Sequence, residues 1–190
     1  MKQGVAYIFL NRKGAFGLGH VGCAFLLENG MMRCTGTENP AGHPYASAAY
    51  KGFWTEDCPN RLDAIIHTMQ KTRVLSIPVG ARDKNGMPMN PGAGGTWQNQ
   101  PYTEWKRLDV SNVNPAQATA MMLKRSREGY SITDRNCEND VYDILHDEGS
   151  GYGITANSFA SQIYVGWVQS AFGPNLWFDH HIGASAYQRL

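Results

Sequence analysis

Asn29-Gly30 stands between two runs of strand-forming residues, 21–27 and 31–37, and this pair constrains the fold more than any other two residues. Asn and Gly are the residues that most readily take the positive φ values of a tight hairpin, so the flanking runs are expected to pair antiparallel. Residues 5–10 (VAYIFL) form a further apolar run of strand length, ended by Asn11-Arg12-Lys13. Later, residues 73–79 show β-branched alternation and residues 103–110 read as another strand.

Helices are expected between and after these strands. One spans residues 59–71, with Asp57 or Cys58 near its cap, and a second, amphipathic one opens at Asn114-Pro115 and runs to about Arg127. A third starts at Cys137, where Val141, Ile144 and Leu145 recur at helical spacing until Gly149 and Gly151. Asn157 or Ser158 is able to cap a helix running to about Val168, and the aromatic tail with Trp167, Phe172, Trp177 and Phe178 is expected to pack back on the sheet. Residues 80–101, rich in Gly, Pro and Asn, read as a long loop carrying Trp97, either a wall of a cleft or a surface aromatic. The fold class is α+β.

The chain has 190 residues, 42% hydrophobic and 11% aromatic, enough for one well-packed domain over residues 1–190. A formal net charge of +1 gives no footprint for nucleic acid. The basic group Lys124-Arg125-Ser126-Arg127 falls at a helix end, where cations complement the macrodipole. Residues 5–10 are short for a signal-peptide core and lack a cleavage site, and no run reaches membrane-spanning length, so a cytoplasmic protein without integral membrane association is expected. Cys23, Cys34, Cys58 and Cys137 lack zinc-site spacing and read as reduced thiols, although Cys23 and Cys34 flank the hairpin.

Two segments carry chemistry. Cys137, with Asn136 or Asp134 as N-cap, occupies the first turn of its helix, where unpaired N–H groups and the macrodipole favour a thiolate and an oxyanion. Far upstream, the glycine-rich stretch 14–19 delivers His20 to the entrance of a strand, where an imidazole with a near-neutral pKa is able to take a proton from a thiol. Gly19 and Gly22, beside His20, are expected to let the backbone pass close to a substrate, with Trp97 and Asn136 as further substrate contacts. The stretch 14–19 leads into a strand rather than a helix, so it lacks phosphate-loop geometry.

Gly19-His20-Val21-Gly22 on a strand, the Asn29-Gly30 hairpin, and Asn136-Cys137-Glu138 opening a helix resemble, in that order, the circularly permuted papain-like fold. That superfamily includes lecithin:retinol acyltransferase-like proteins, permuted NlpC-like cell-wall peptidases and permuted deubiquitinase-like peptidases. The resemblance covers two segments, 19–37 and 132–145. It implies a central antiparallel sheet with the nucleophile helix packed against it, Cys137 as nucleophile and His20 as base. It further implies a peptidase or amidase with no cofactor, acting on a peptide, a bacterial cell-wall peptide or an acylated substrate. The same motifs fit a thiol acyltransferase or lipid hydrolase, and an inactive binding domain is the reading outside enzymes.

The chain departs from the family at the residue that orients the base. Aligning on Asn29-Gly30 puts Cys34 at or beside that position, and a thiol is a weak hydrogen-bonding partner. Thr35, Thr37, Glu38, Asn39 and His43 are nearby. Glu38 is the best of them electrostatically, because an anion against the far ring nitrogen fixes the tautomer and stabilises an imidazolium; Thr35 is carried beside it. Asp179-His180-His181 lacks a third ligand at suitable spacing, so no metal is expected.

Overall fold

The computed structural model describes residues 3–14, 17, 19–38, 45–46, 52–77, 95–98, 101–128, 130–131, 136–146, 150–152, 154, 173–180, 182–184 and 186–190. The strands are β1 (Gln3–Asn11), β2 (His20–Leu26), β3 (Met32–Thr37), β4 (Tyr45–Ala46), β5 (Phe53–Cys58), β6 (Val74–Ile77), β7 (Gly95–Gln98), β8 (Glu104–Ser111), β9 (Tyr130–Ser131) and β10 (Ala186–Arg189). Four helices lie among the described residues: α1 (Leu62–Gln70), α2 (Pro115–Ser126), α3 (Cys137–Leu145) and α4 (Pro174–His180). Six strands make one antiparallel sheet in the order β10-β8-β1-β2-β3-β5, and two small ladders, β4 with β9 and β6 with β7, stand apart from it. The chain is thus α+β, and none of the helices is long and apolar enough to cross a membrane.

The hairpin forms where Asn29-Gly30 requires it. A turn closes from the Gly30 N–H to the Leu27 carbonyl, Asn29 Oδ1 accepts from the Met31 N–H, and Gly30 takes φ +81°. The left-handed residue follows the turn instead of sitting inside a two-residue loop, which is the three-residue hairpin geometry.

Strand alternation sends side chains to two different cores. Ala6, Ile8 and Leu10 of β1 with Val21, Cys23 and Phe25 of β2 face one layer, where they pack with Met122 of α2, Cys137, Val141 and Ile144 of α3, and Trp177 and Phe178 of α4. Val5, Tyr7 and Phe9 with Ala24, Met32 and Cys34 face the other, where Trp54, Tyr102, Trp105 and the α1 residues Ile65 and Met69 cover them. We call these the front and rear layers. The central strands are buried on both faces, so residues 5–10 show a continuous apolar run.

Alternation also separates two cysteines. Cys23 pairs in register with Thr35 and faces front, whereas Cys34 pairs with Ala24 and faces rear. Cys34 instead lies 3.7 Å, sulfur to sulfur, from Cys58 on the neighbouring β5, and all four cysteines are free thiols.

Several sequence expectations need correction. Residues 53–58, read in part as the approach to a helix, form edge strand β5, whose buried Trp54 and Cys58 alternate with outward Thr55 and Asp57. The following helix begins at Leu62 and has no side-chain cap, so neither Asp57 nor Cys58 caps it. The segment 80–101, expected to be loop, contains β7, and Trp97 sits on that strand with its side chain outside the described residues. At the C-terminal end, α4 buries Trp177 and Phe178 against the front layer, as the aromatic density suggested, and β10 adds an edge strand that was not foreseen. The helix expected over residues 157–168 lies outside the described residues.

Candidate active site

One end of the sheet gathers the groups of interest. The C-terminal end of β1, the entrance of β2 and the exit of β3 meet there, because β1 pairs Asn11 with His20 and β2 pairs Gly22 with Gly36. The first turn of α3 reaches the same end from the front, since Thr37 Oγ1 donates to Asp140 Oδ2.

Cys137 is the first residue of α3 and is 5% exposed. Asn136 is its N-cap: Oδ1 accepts from the N–H groups of Glu138 at 2.9 Å and Asn139 at 3.1 Å, while Asn139 Oδ1 accepts from the Asn136 N–H at 3.3 Å. This reciprocal cap fixes where the helix begins and therefore where the thiol sits. Asp140 N–H bonds the Asn136 carbonyl, so these bonds engage three first-turn donors but not the Cys137 N–H. Asn136, expected as a substrate contact, spends its side chain on the helix. Its replacement by alanine is expected to lower stability by about 1 kcal/mol in urea denaturation; no loss of stability would mean that the cap does not hold α3.

His20 opens β2 and projects rearward with Gly22 and Ala24, by strand alternation. Its side chain is 13% exposed, and Nε2 lies 2.9 Å from Glu38 Oε2. Cys137 is near enough to act on the same ring. With Nε2 turned to Glu38, Nδ1 is the ring nitrogen left for the thiol. Burial pulls the His20 pKa down, but the Glu38 carboxylate and Cys137 outweigh it and hold the pKa well above the ordinary imidazole value.

Glu38 follows β3 and is 3% exposed. Its Oε1 accepts from Trp54 Nε1 at 3.1 Å and from the Tyr102 hydroxyl at 3.1 Å. Burial raises the pKa of this carboxyl, yet His20 and these donors more than offset that and leave it below its ordinary value. The Glu38 N–H bonds the Gly52 carbonyl at 3.1 Å, which anchors the residue after its strand has ended.

Thr35, carried as an orienting candidate, does not point to His20: its hydroxyl donates to the Trp54 carbonyl at 2.7 Å. Glu38 is the candidate the fold brings to the far ring nitrogen. Asn39 and His43 lie outside the described residues, as does the Trp97 side chain.

The two glycines singled out by sequence have internal reasons. At Gly19, with φ +100°, a Cβ would lie 2.4 Å from Asn175 Oδ1 of α4, and Asn175 Nδ2 holds the loop through the Arg12 and Gly17 carbonyls. At Gly22 a Cβ would lie 2.5 Å from the Tyr102 hydroxyl, and at its register partner Gly36 the distance would be 2.8 Å. At both sequence-predicted positions the space a side chain would need is filled by the protein itself, not left open for substrate.

Sequence reasoning missed Tyr102 and Trp54. Trp54 sits on the strand that was not foreseen, and Tyr102 precedes β8 with nothing local to mark it. The readable trace was the pair of small residues Gly22 and Gly36 on strands already expected to pair. Asp179 bonds Arg12, which also holds Glu104, and no three His, Cys, Asp or Glu among the described residues gather as a metal site requires. In comparisons with protein-family models, with curated proteins and with solved structures, nothing matches this chain.

Proposed function

We propose that this protein is a cysteine hydrolase of the permuted papain-like kind, cleaving an amide or isopeptide bond, with bacterial cell-wall peptide as the leading substrate class. The observation that carries the proposal is His20, held through Nε2 by Glu38 at 2.9 Å with Cys137 near enough to act on the same ring. A histidine so placed has one ring nitrogen turned to the nucleophile and its opposite nitrogen facing an anion.

His20 Nδ1 takes the proton from Cys137 Sγ, and the sulfur attacks the scissile carbonyl carbon. The Cys137 N–H, which the Asn136 cap leaves over, is the first-turn donor for the oxyanion. Collapse of the tetrahedral adduct breaks the C–N bond, and His20 returns its proton to the leaving amine. Water, with its proton accepted by His20, then cleaves the thioester, releasing the carboxylate and restoring the thiol. Through these steps Glu38 stays ionised and stabilises the imidazolium.

The test is alkylation by iodoacetamide across pH, read by mass spectrometry, in the parent protein and in His20→Ala. Cys23 and Cys34 serve as internal references, because burial pushes their thiols up. An ordinary thiol is ionised to only about 1% at pH 6.5, so an activated Cys137 is expected to label up to about a hundredfold faster than a solvent-exposed thiol at that pH. The advantage should vanish in His20→Ala. Cys137 labelling that ignores His20 would sink the proposal.

A further inference from the structure

Glu38 is not the only group against the His20 ring. The Tyr102 hydroxyl oxygen lies 3.1 Å from His20 Nε2, and the Tyr102 ring stacks on the imidazole at 5.4 Å between centroids with 20° between planes. The same hydroxyl is 3.1 Å from Glu38 Oε1.

Proton counting gives these contacts their directions. Glu38, as a carboxylate, only accepts, so the Tyr102 O–H donates to Oε1. With its one hydrogen spent there, the Tyr102 oxygen can meet Nε2 only as an acceptor, and Nε2 must carry the proton. Nε2–H is then shared between Glu38 Oε2 and the Tyr102 oxygen. If Nε2–H is the donor on the rear side, the neutral ring keeps its lone pair on Nδ1, toward Cys137. Burial first, and then the neighbouring Glu38, hold the Tyr102 pKa well above the usual phenol value, so the hydroxyl keeps its proton.

Tyr102 itself is fixed. It is fully buried, its ring meets Phe9 edge-on at 6.0 Å, and its carbonyl accepts from Gln70 Nε2 at 3.3 Å. Gly22 and Gly36, side by side on β2 and β3, leave the flat patch of sheet on which the hydroxyl lies. The other charged or titratable groups acting on Tyr102 are Cys137 from α3 and Arg73, whose guanidinium stacks 3.4 Å above Trp54.

We propose that Tyr102 is a positioning residue, which clamps the His20 ring against Glu38 in the tautomer whose free nitrogen faces Cys137. This rests on the catalytic reading of the Cys137–His20 pair, and it extends the orienting apparatus to a residue remote from both in sequence.

The experiment compares Cys137 alkylation by iodoacetamide at pH 6 and pH 10 in the parent, Tyr102→Phe, Gly36→Ala and the double variant, with His20→Ala as reference. Phenylalanine keeps the stacked ring and deletes the hydroxyl. Gly36→Ala keeps the tyrosine and displaces its hydroxyl. One hydrogen bond to a charged group corresponds to roughly a tenfold to hundredfold loss of rate at pH 6. No loss is expected at pH 10, above the ordinary thiol range. The double variant should lose no more than Gly36→Ala, whose added methyl would also meet Trp54 Nε1 at 2.9 Å. A second readout is the low-field proton resonance of His20 Nε2–H, identified by its absence in His20→Ala and expected to broaden or vanish in Tyr102→Phe.

Unchanged alkylation together with an unchanged Nε2–H resonance in Tyr102→Phe would overturn the proposal. So would equal losses at pH 6 and pH 10, which report packing alone. If His20→Ala leaves alkylation untouched while Tyr102→Phe still erases the Nε2–H resonance, the hydrolase reading falls and the clamp stands.

Discussion

Replacing Glu38 by glutamine is expected to destabilise the protein by about 3 kcal/mol near pH 5.5 and to abolish the acid-side reactivity of Cys137. The magnitude is that of removing one partner from a buried ion pair and leaving the other charge uncompensated. Glutamine fills the same space, but its amide nitrogen is a donor in a pocket where Trp54 Nε1, the Tyr102 hydroxyl and His20 Nε2 already converge on an acceptor. The pH dependence has a definite sign on each side. Glu38 has its pKa lowered from 4.5, so its contribution is complete above that value and is lost as pH falls through the lowered one. His20 has its pKa raised from 6.5, so its contribution is complete below that value and is lost as pH rises through the raised one. The stability difference between parent and Glu38→Gln should therefore be largest between pH 4.5 and 6.5 and shrink on both sides. Urea denaturation at a series of pH values measures it, and a difference independent of pH would show that the pair is not ionised in the folded protein.

A comparable loss is expected from Gly52→Ala, a residue with no part in the chemistry. Gly52 has φ +67°, and a Cβ there would lie 2.0 Å from the Glu38 carbonyl oxygen and 2.8 Å from its carbon. The obstacle is backbone, so it cannot swing aside as a side chain would. Left-handed geometry costs a non-glycine residue about 1 kcal/mol, and the clash adds to it, for a total of about 3 kcal/mol. Relief comes only by moving the chain at Glu38, which breaks the bond from its N–H to the Gly52 carbonyl and carries the carboxylate away from His20. Gly30→Ala is the control: φ is +81°, but nothing lies within 4 Å of the added Cβ, so only the conformational cost of about 1 kcal/mol applies. Denaturation and Cys137 alkylation of both variants separate the two effects. Equal losses at the two glycines would mean that the close approach to Glu38 is not what fixes residue 52.

What could be read from the sequence was local chemistry. Asn29-Gly30 requires a turn and Asn136 caps a helix by contacts within a few residues, so the hairpin and the position of Cys137 were legible. Strand β5 was not, because Asp57-Cys58-Pro59 imitates the start of a helix while the alternation of six residues is a weak signal against it. Glu38 could be favoured on charge, but its selection over Thr35 depends on which way each side chain leaves β3. Its environment comes from Gly52, Trp54 and Tyr102, which reach it from separate elements. Tyr102 lies 64 residues from its partner Glu38, and no local pattern links them.

Cys137 belongs to the front layer, whereas Trp54 and Tyr102, which hold Glu38, belong to the rear one with the rear-facing His20. Nucleophile and base are thus mounted on opposite sides of one wall. A substitution beneath α3 therefore acts on His20 through the sulfur, and one beneath α1 acts on it through the pocket around Glu38, so the same imidazole can be detuned from either layer.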